Sequence, residues 1–426
     1  MTNVKRPILI ALILIAGSFS LVARAQVEQH AITVIVAPKD SISKKRDRTY
    51  YDNINNEIDL IDVGQELFSK NVKKRTNDDS AVFKKPHLAV LPAVGYTLQT
   101  GFATVLAGSL AFYTSKDRNE NVSSLLANVT YSQYQQILLP IQASIWTWDD
   151  RYNFVADWRY LKYPSSTYGL GSGTSLNDGY TIDYSLIHLN QAVLKKIVPD
   201  IYFGIGYRLD YFWNVREVDP PTGKTTDFQN YGLTTTSTSS GATFDLLYDD
   251  RRNSINPLKG NYLNINFWPN FTFTGSDNNW QSLTVDIRKY IQFPSYTNNV
   301  LAFWSYDWFT LGGKPPYLLL PNTGGDPASN SGRGYIQGRY RGNNMLYAEG
   351  EYRFAITNNG LVGGVVFVNA QSFTDQTTNR FDSILPGYGL GLRLKMNKFS
   401  RTNIAVDYGL GVGGSGGFFV NLGEVF

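Results

Sequence analysis

The feature that most constrains the fold is an alternation of apolar residues with polar residues or glycine. In GYGLGLRLKM, residues 387–396, every second residue is apolar, and glycine, arginine or lysine lies between. The stretches NYLNINF (261–267), SLTVDIR (282–288) and NIAVDYGL (403–410) alternate in the same way. Successive side chains of a β-strand point to opposite faces, so each stretch predicts a strand with one apolar face.

The composition indicates where the apolar faces lie. The chain has 28 Tyr, 24 Phe, 8 Trp and 38 Gly, and many strand-like stretches end in an aromatic residue. Tyr and Trp suit a membrane–water interface, where the ring is buried and the polar tip stays wet. A soluble β-sandwich or a β-helix also alternates, but recurrent charge and glycine on the polar face favour a wet lumen. We therefore predict an all-β, transmembrane antiparallel β-barrel.

The first 25 residues predict a signal peptide. Lys5 and Arg6 precede an apolar run, and Ala23-Arg24-Ala25 offers a cleavage site. The formal charge of +4 includes Lys5, Arg6 and Arg24 and no acid from this segment, which leaves +1 for the rest. A nucleic-acid partner is therefore not expected. The chain has no cysteine, which excludes disulfides and thiol chemistry.

The remaining chain divides at about residue 85. Residues 26–85 carry 11 basic and 10 acidic residues, which predicts a charged periplasmic extension, mostly flexible, with one short helix within 55–68. Residues 86–426 are predicted to form the barrel, and the barrel is predicted to lie in the outer membrane of a Gram-negative bacterium. We predict sixteen strands, with fourteen as the alternative: 87–96, 101–114, 122–132, 136–147, 150–160, 179–195, 200–214, 239–248, 258–269, 279–292, 297–309, 343–354, 359–369, 386–396, 401–410 and 416–426. The long connections 161–178, 215–238 and 310–342 follow odd-numbered strands, which is typical of external loops.

Four motifs carry a family resemblance. Loop 310–342 contains Gly332-Arg333-Gly334-Tyr335. The other three motifs are YDDRRNSINPLKGNYL (248–263), NNMLYAEGEYRF (343–354) and GGVVFVNAQSF (363–373). In these motifs the chain resembles the barrel domain of the BamA/TamA-like surface-antigen superfamily, which assembles or translocates outer-membrane proteins. The resemblance implies that the loop folds back into the lumen with Arg333 at its tip.

The strand pattern indicates what would hold that arginine. Tyr347, Glu349, Glu351 and Arg353 share one face of the twelfth strand, which should point inward. Glu351 and Glu349 are therefore the expected acceptors for Arg333. The alternative is that Arg333 is a solvated loop charge.

The thirteenth strand adds two residues to this site. Phe367 and Asn369 are two positions apart, so their side chains point the same way. The family usually has an aspartate where Asn369 stands. We expect the Asn369 amide oxygen to accept one hydrogen bond from the arginine instead.

Two further features lie where the barrel closes. Pro92 in the first strand and Gly414, Gly416 and Gly417 near the last strand should weaken pairing. The resemblance implies a lateral gate for client strands at this seam; the alternative is that these residues are ordinary bends. Phe418, Val420, Leu422 and Phe426 are expected on one face of the last strand, which resembles the recognition signal of barrels that are clients for insertion.

No enzyme, metal site or cofactor is predicted. Residues 413–417 spell G-x-S-x-G, but they lack a strand–turn–helix context and no histidine follows. The pairs Asp149-Asp150 and Asp249-Asp250 fit turn chemistry.

The function expected from the resemblance is assistance with assembly, insertion or export of outer-membrane proteins. Outer-membrane lipids, client proteins and accessory periplasmic or lipoprotein subunits are the expected partners. Family members that act on clients carry periplasmic repeat domains, and residues 26–85 are too short for one. A passive channel or porin and a surface-exposed structural or adhesion barrel are the alternatives.

Overall fold

A single antiparallel sheet forms the wall of the protein. The computed structural model describes residues 56–68, 86–97, 101–114, 121–147, 150–232, 234–251 and 253–426. Its strands are β1 His87–Thr97, β2 Gly101–Phe112, β3 Ser123–Ser132, β4 Ile137–Trp146, β5 Tyr152–Lys162, β6 Ser165–Thr167, β7 Tyr180–Val198, β8 Ile201–Val218, β9 Ser237–Asp249, β10 Gly260–Asn270, β11 Trp280–Gln292, β12 Val300–Gly313, β13 Asn344–Ala355, β14 Val362–Phe373, β15 Leu385–Asn397, β16 Thr402–Gly411 and β17 Gly416–Leu422. Two α-helices are described, α1 Leu60–Phe68 and α2 Asp227–Gly232.

The strand count confirms the prediction of sixteen and not fourteen. Each long strand is antiparallel to the long strand that precedes it, and β1 lies beside β17. The three-residue β6 pairs with β7, as β5 does, so it continues the line of β5 in the wall. The sixteen predicted strands each overlap one long strand of the structure. The last prediction is wrong at its end, because β17 stops at Leu422 and not at residue 426.

The two faces of the wall divide as the alternation predicts. On β15, Tyr388, Leu390 and Leu392 are more than half exposed on the outside, whereas Arg393 is only 4% exposed. The outer face of β15 is therefore apolar, and a charged side chain is buried on its lumenal face, which is the distribution expected of a lipid-embedded barrel strand.

The connection between β12 and β13, residues 314–343, turns into the lumen. We call it the plug loop. It contacts the β4–β5 wall, where Gln142 Nε2 and Arg159 Nη2 donate to the Pro327 carbonyl at 3.2 and 2.5 Å. It also contacts the β13–β16 wall, where the Arg333 guanidinium is bound. The loop therefore crosses the barrel interior.

The other predicted long connections are partly strand. Because β8 continues to Val218 and β9 begins at Ser237, the predicted loop 215–238 is shortened, and α2 lies within it.

The predicted signal peptide and most of the predicted extension 26–85 lie outside the described residues. Neither helix in the described part of the chain has the length and apolar composition needed to cross a membrane.

Residues 56–68 are the described part of the predicted extension; they include helix α1 and dock on the barrel. Lys398 Nζ lies 2.7 Å from Asp62 Oδ2, and the Lys398 backbone N–H donates to Asp59 Oδ2 at 2.9 Å. Glu57 pairs with Lys395 at 2.5 Å. Lys395 and Lys398 lie at the short turn between β15 and β16, an end that loop-length asymmetry assigns to the periplasm.

Candidate functional site

Arg333 stands at the tip of the plug loop and is only 1% exposed. Gly332 and Gly334 on either side have φ of +81° and +107°. This left-handed backbone region is open to glycine and strained for most other residues. The two glycines therefore let the loop present a single arginine to the wall.

Three carboxylates hold the Arg333 guanidinium. Its Nη1 lies 2.6 Å from Asp407 Oδ2 on β16, and its Nη2 lies 2.5 Å from Glu351 Oε2 on β13. Nη2 also donates to Glu349, which accepts a further bond from the Tyr347 hydroxyl. The guanidinium carbon lies 3.7 Å from the ring centre of Phe367 on β14, a cation–π contact. Arg333 is thus a buried charge, not a solvated one.

Asn369 has a different partner from the one the sequence suggested. Its Nδ2 donates to the backbone carbonyl of Arg333 at 2.9 Å, and its Oδ1 has no hydrogen-bond partner. The expectation that the amide oxygen accepts from the guanidinium is therefore wrong, because the side chain reaches the loop backbone and not the head group. The third carboxylate at the guanidinium is Asp407, on a different strand.

Tyr335 fixes the other side of the tip. Its hydroxyl donates to the Pro386 carbonyl at 2.5 Å and accepts from the Val412 backbone N–H at 3.0 Å. The backbone here lies against the glycines of β16, and a Cβ built on Gly409 would stand 2.6 Å from the Gly334 nitrogen. Because glycine has no side chain, these positions of β16 leave room for the plug loop.

Sequence reasoning missed several members of this site. Arg393 on β15 pairs with Asp407 at 2.5 Å and with Glu424 at 2.7 Å. Arg353 on β13 was expected on the inward face, but its pairing with Glu351 at 2.5 Å was not. Burial alone would raise the pKa of the Glu424 carboxyl, but the Arg393 and Arg353 guanidiniums hold it below its usual value.

One signal in the sequence could have revealed the charged lumen. An acid and an arginine two residues apart share one face of a strand, and the structure pairs five such couples. They are Asp157–Arg159, Arg208–Asp210, Asp249–Arg251, Asp286–Arg288 and Glu351–Arg353. The first four line a cavity of about 620 Å³ between the plug loop and the barrel wall.

The predicted seam residues lie in three different settings. Pro92 stands opposite Leu106 of β2. Gly414, with φ of +81°, lies in the turn between β16 and β17, whereas Gly416 and Gly417 stand in the ladder opposite Leu410 and Gly409. β17 has seven residues, and within the described residues no hydrogen-bonded register joins it to β1.

The predicted C-terminal face is wrong in one residue. Phe418 and Val420 are 48% and 42% exposed on the outside, and Leu422 ends the strand half-buried. Phe426 is 4% exposed and stacks on Trp304, with ring centres 5.2 Å apart. The strand alternation does not extend to Phe426, because the chain leaves the sheet at Gly423, where φ is +107°.

Comparisons with known proteins agree with this architecture. The model of the Omp85 superfamily domain matches residues 106–413. The fold is similar to that of BamA from Haemophilus ducreyi lacking POTRA domains 1–3, with a TM-score of 0.51 and 13% identity over 85% of this chain and 82% of that one.

Two further solved structures have the same fold. CdiB from Acinetobacter baumannii has a TM-score of 0.51 and 14% identity over 80% of this chain and 60% of that one. CdiB from Escherichia coli has a TM-score of 0.51 and 11% identity, with shares of 84% and 73%. Comparison with curated protein sequences gives no match.

Proposed function

The chain belongs to the Omp85 superfamily of outer-membrane assembly and translocation barrels, and on this premise we propose that it acts on client proteins at the seam between β1 and β17. Clients would be outer-membrane or surface proteins that the barrel helps to assemble, insert or export. The seam would serve as a lateral gate, where a client strand adds to an exposed sheet edge.

The observation that carries this proposal is the plug loop. A passive channel needs an open path along its axis, whereas here the lumen is crossed by a loop whose arginine is bound to three buried carboxylates. Releasing such a charge from its partners is costly. A client that leaves sideways, through the barrel wall, therefore requires less rearrangement of the plug loop than a client that passes along the barrel axis.

The seam is the part of the wall best suited to this role. β17 has seven residues, whereas β7 has nineteen. Because β17 is short, few backbone hydrogen bonds hold it to β16. Pro92 removes one ladder donor from β1. An edge with few bonds of its own is available to pair with another strand.

Three kinds of partner follow from this proposal. Lipids would contact the apolar outer face, of which Tyr388 and Leu390 are examples. Client proteins would meet the barrel at the seam. Accessory periplasmic or lipoprotein subunits are the third kind of partner, and residues 26–85 are the segment on which we place their contact.

We infer no catalytic role for the chain. Gly413 and Gly414 lie in the turn between β16 and β17, and the G-x-S-x-G letters are followed by a strand and not by a helix. Among the described residues no group of three potential metal ligands is found.

The test is quantitative proteomics of the outer membrane after depletion of this protein. We expect other barrels or surface lipoproteins to decrease while their transcripts stay constant, and re-expression of the wild-type chain to restore them. An unchanged outer-membrane protein profile would overturn the proposal.

The second candidate is a passive channel, which the charge-lined cavity of about 620 Å³ beside the plug loop favours. Single-channel conductance of the purified barrel in planar bilayers distinguishes the two functions. A steady conductance together with an unchanged proteome would favour the channel.

A further inference from the structure

The last four residues form a structural unit of their own, the tail, residues 423–426. After β17 the tail turns into the lumen, where Val425 and Phe426 are 3% and 4% exposed. The Phe426 ring packs against Trp304 of β12 and lies 6.2 Å from the ring of Tyr290 on β11. The tail therefore packs against strands far from β17 in the wall order.

The tail supplies one member of a closed ring of six alternating charges, the charge ring. Its members in order are Arg333, Glu351, Arg353, Glu424, Arg393 and Asp407. The six successive nitrogen–oxygen distances are 2.5, 2.5, 3.7, 2.7, 2.5 and 2.6 Å. All six side chains are at most 6% exposed. The ring joins the plug loop, three barrel strands and the tail.

Backbone contacts tie the tail to the same elements. Asn330 of the plug loop donates from Nδ2 to the Val425 carbonyl at 2.8 Å. Arg353 of the wall donates from Nη2 to the Phe426 carbonyl at 2.8 Å. The tail is thus held by the plug loop on one side and by β13 on the other.

We propose that the tail is a latch that couples the plug loop to the last strand of the barrel. If β17 moves outward at the seam, Glu424 leaves Arg353 and Arg393, and two buried guanidiniums lose an acceptor. That loss weakens the remaining pairs of the ring, including those of Arg333. Displacement of β17 and release of the plug loop therefore favour each other, and the coupling is reciprocal.

The absence of cysteine in the chain allows a clean test with one thiol reporter. Ser331 is 4% exposed and its hydroxyl has no hydrogen-bond partner, so Ser331→Cys is a mild change in the plug loop. The experiment measures the rate of maleimide labelling of this reporter in the purified full-length barrel in lipid nanodiscs. Glu424→Gln is compared with Asp210→Asn, which removes another buried lumenal acid paired with an arginine, on β8.

We expect Glu424→Gln to raise the labelling rate at least about tenfold, which corresponds to about 1.4 kcal/mol of plug-loop opening. Asp210→Asn should leave the rate unchanged. Equal rates in the wild-type and Glu424→Gln backgrounds would overturn the latch. So would an equal increase in both variants, because the effect would then be general loosening of the lumen.

A reciprocal measurement keeps the proposal testable if Glu424→Gln fails to fold. With the reporter moved to Val425→Cys, Arg333→Lys should speed labelling of the tail, because the shorter lysine cannot reach all three carboxylates. An unchanged rate would contradict the coupling.

The latch rests on the proposed gate at the seam. These assays contain no client protein, so a negative result would overturn the latch and leave the proteomic test of the proposed function unaffected.

Discussion

At the scale of the residue, Arg333 shows how a loop of polar sequence is held inside a barrel. A buried guanidinium cannot shed its proton, so its charge must be balanced where it lies. Two of its acceptors, Glu349 and Glu351, share the inward face of one strand, and the third, Asp407, comes from a strand 74 residues away in the chain.

Arg333→Ala should lower barrel stability by about 3–5 kcal/mol, because it leaves three buried carboxylates without their shared cation. The measurement is the urea midpoint of unfolding, together with protease sensitivity of the plug loop. Arg380→Ala, which removes an exposed loop arginine, is the matched control and should change neither. An unchanged midpoint for Arg333→Ala would contradict the anchoring role.

Asn369→Asp should weaken the plug-loop anchor, although it places a carboxylate near the Arg333 guanidinium. The amide donates to the Arg333 carbonyl, and a carboxylate in its place loses that bond and repels the carbonyl oxygen. We expect a loss of about 1–3 kcal/mol in the free energy of unfolding, measured by urea denaturation. A gain in stability would indicate that position 369 serves the guanidinium after all.

At the scale of the element, β15 and β16 form a surface of glycine against which the plug loop lies. Cβ atoms built on Gly389 and Gly391 would stand 2.5 Å from the Phe367 ring and 1.8 Å from Asp407 Oδ1. The glycines that alternate with leucine in β15 thus leave space on the lumenal face for the residues that bind Arg333. The same alternation keeps the leucines on the lipid face.

Gly409→Ala should loosen the plug loop, because its Cβ would overlap the Gly334 backbone, and overpacking of this kind costs about 1–3 kcal/mol. The thiol reporter at Ser331→Cys should label faster in this variant. Gly108→Ala on β2 is the control, since its Cβ has no neighbour closer than 3.8 Å. Equal labelling in both variants would show that the glycine surface does not position the loop.

At the scale of the whole molecule, the described part of the predicted extension and the barrel are joined at the turn between β15 and β16. Lys398 is 1% exposed and binds Asp62 through its ammonium group, while its backbone N–H binds Asp59. Lys398 thereby binds the segment that contains Asp59 and Asp62 to the turn between β15 and β16, although the two lie far apart in the sequence. The docked helix lies beside the same strands that hold the plug loop and the charge ring.

Lys398→Ala should release helix α1 from the barrel, because it removes the cation between Asp62 and the Glu57 carbonyl. Limited proteolysis should cleave residues 57–68 at least about tenfold faster, equivalent to about 1.4 kcal/mol of local opening. Lys224→Ala in the exposed connection between β8 and β9 should not change this rate. Slow cleavage in both variants would mean that other contacts hold α1.

The sequence by itself determined the all-β barrel and the approximate position of each strand, because the period-two alternation of a strand is a local property. It also determined that Glu349, Glu351 and Phe367 point into the lumen, because residues two apart on a strand share a face. The inward faces of these strands therefore required no knowledge of the tertiary structure, whereas the choice of sixteen strands over fourteen came from the strand pairing.

The tertiary structure alone decided the rest of the site. Asp407 and Glu424 meet Arg333 and its neighbours only because the sheet curls and closes, which brings β16 and the tail opposite β13. The partner of Asn369 depends on the path of the plug-loop backbone, which strand periodicity does not describe. Phe426 turns inward because the chain leaves the sheet at Gly423, and an alternation pattern carries no information beyond the end of its strand.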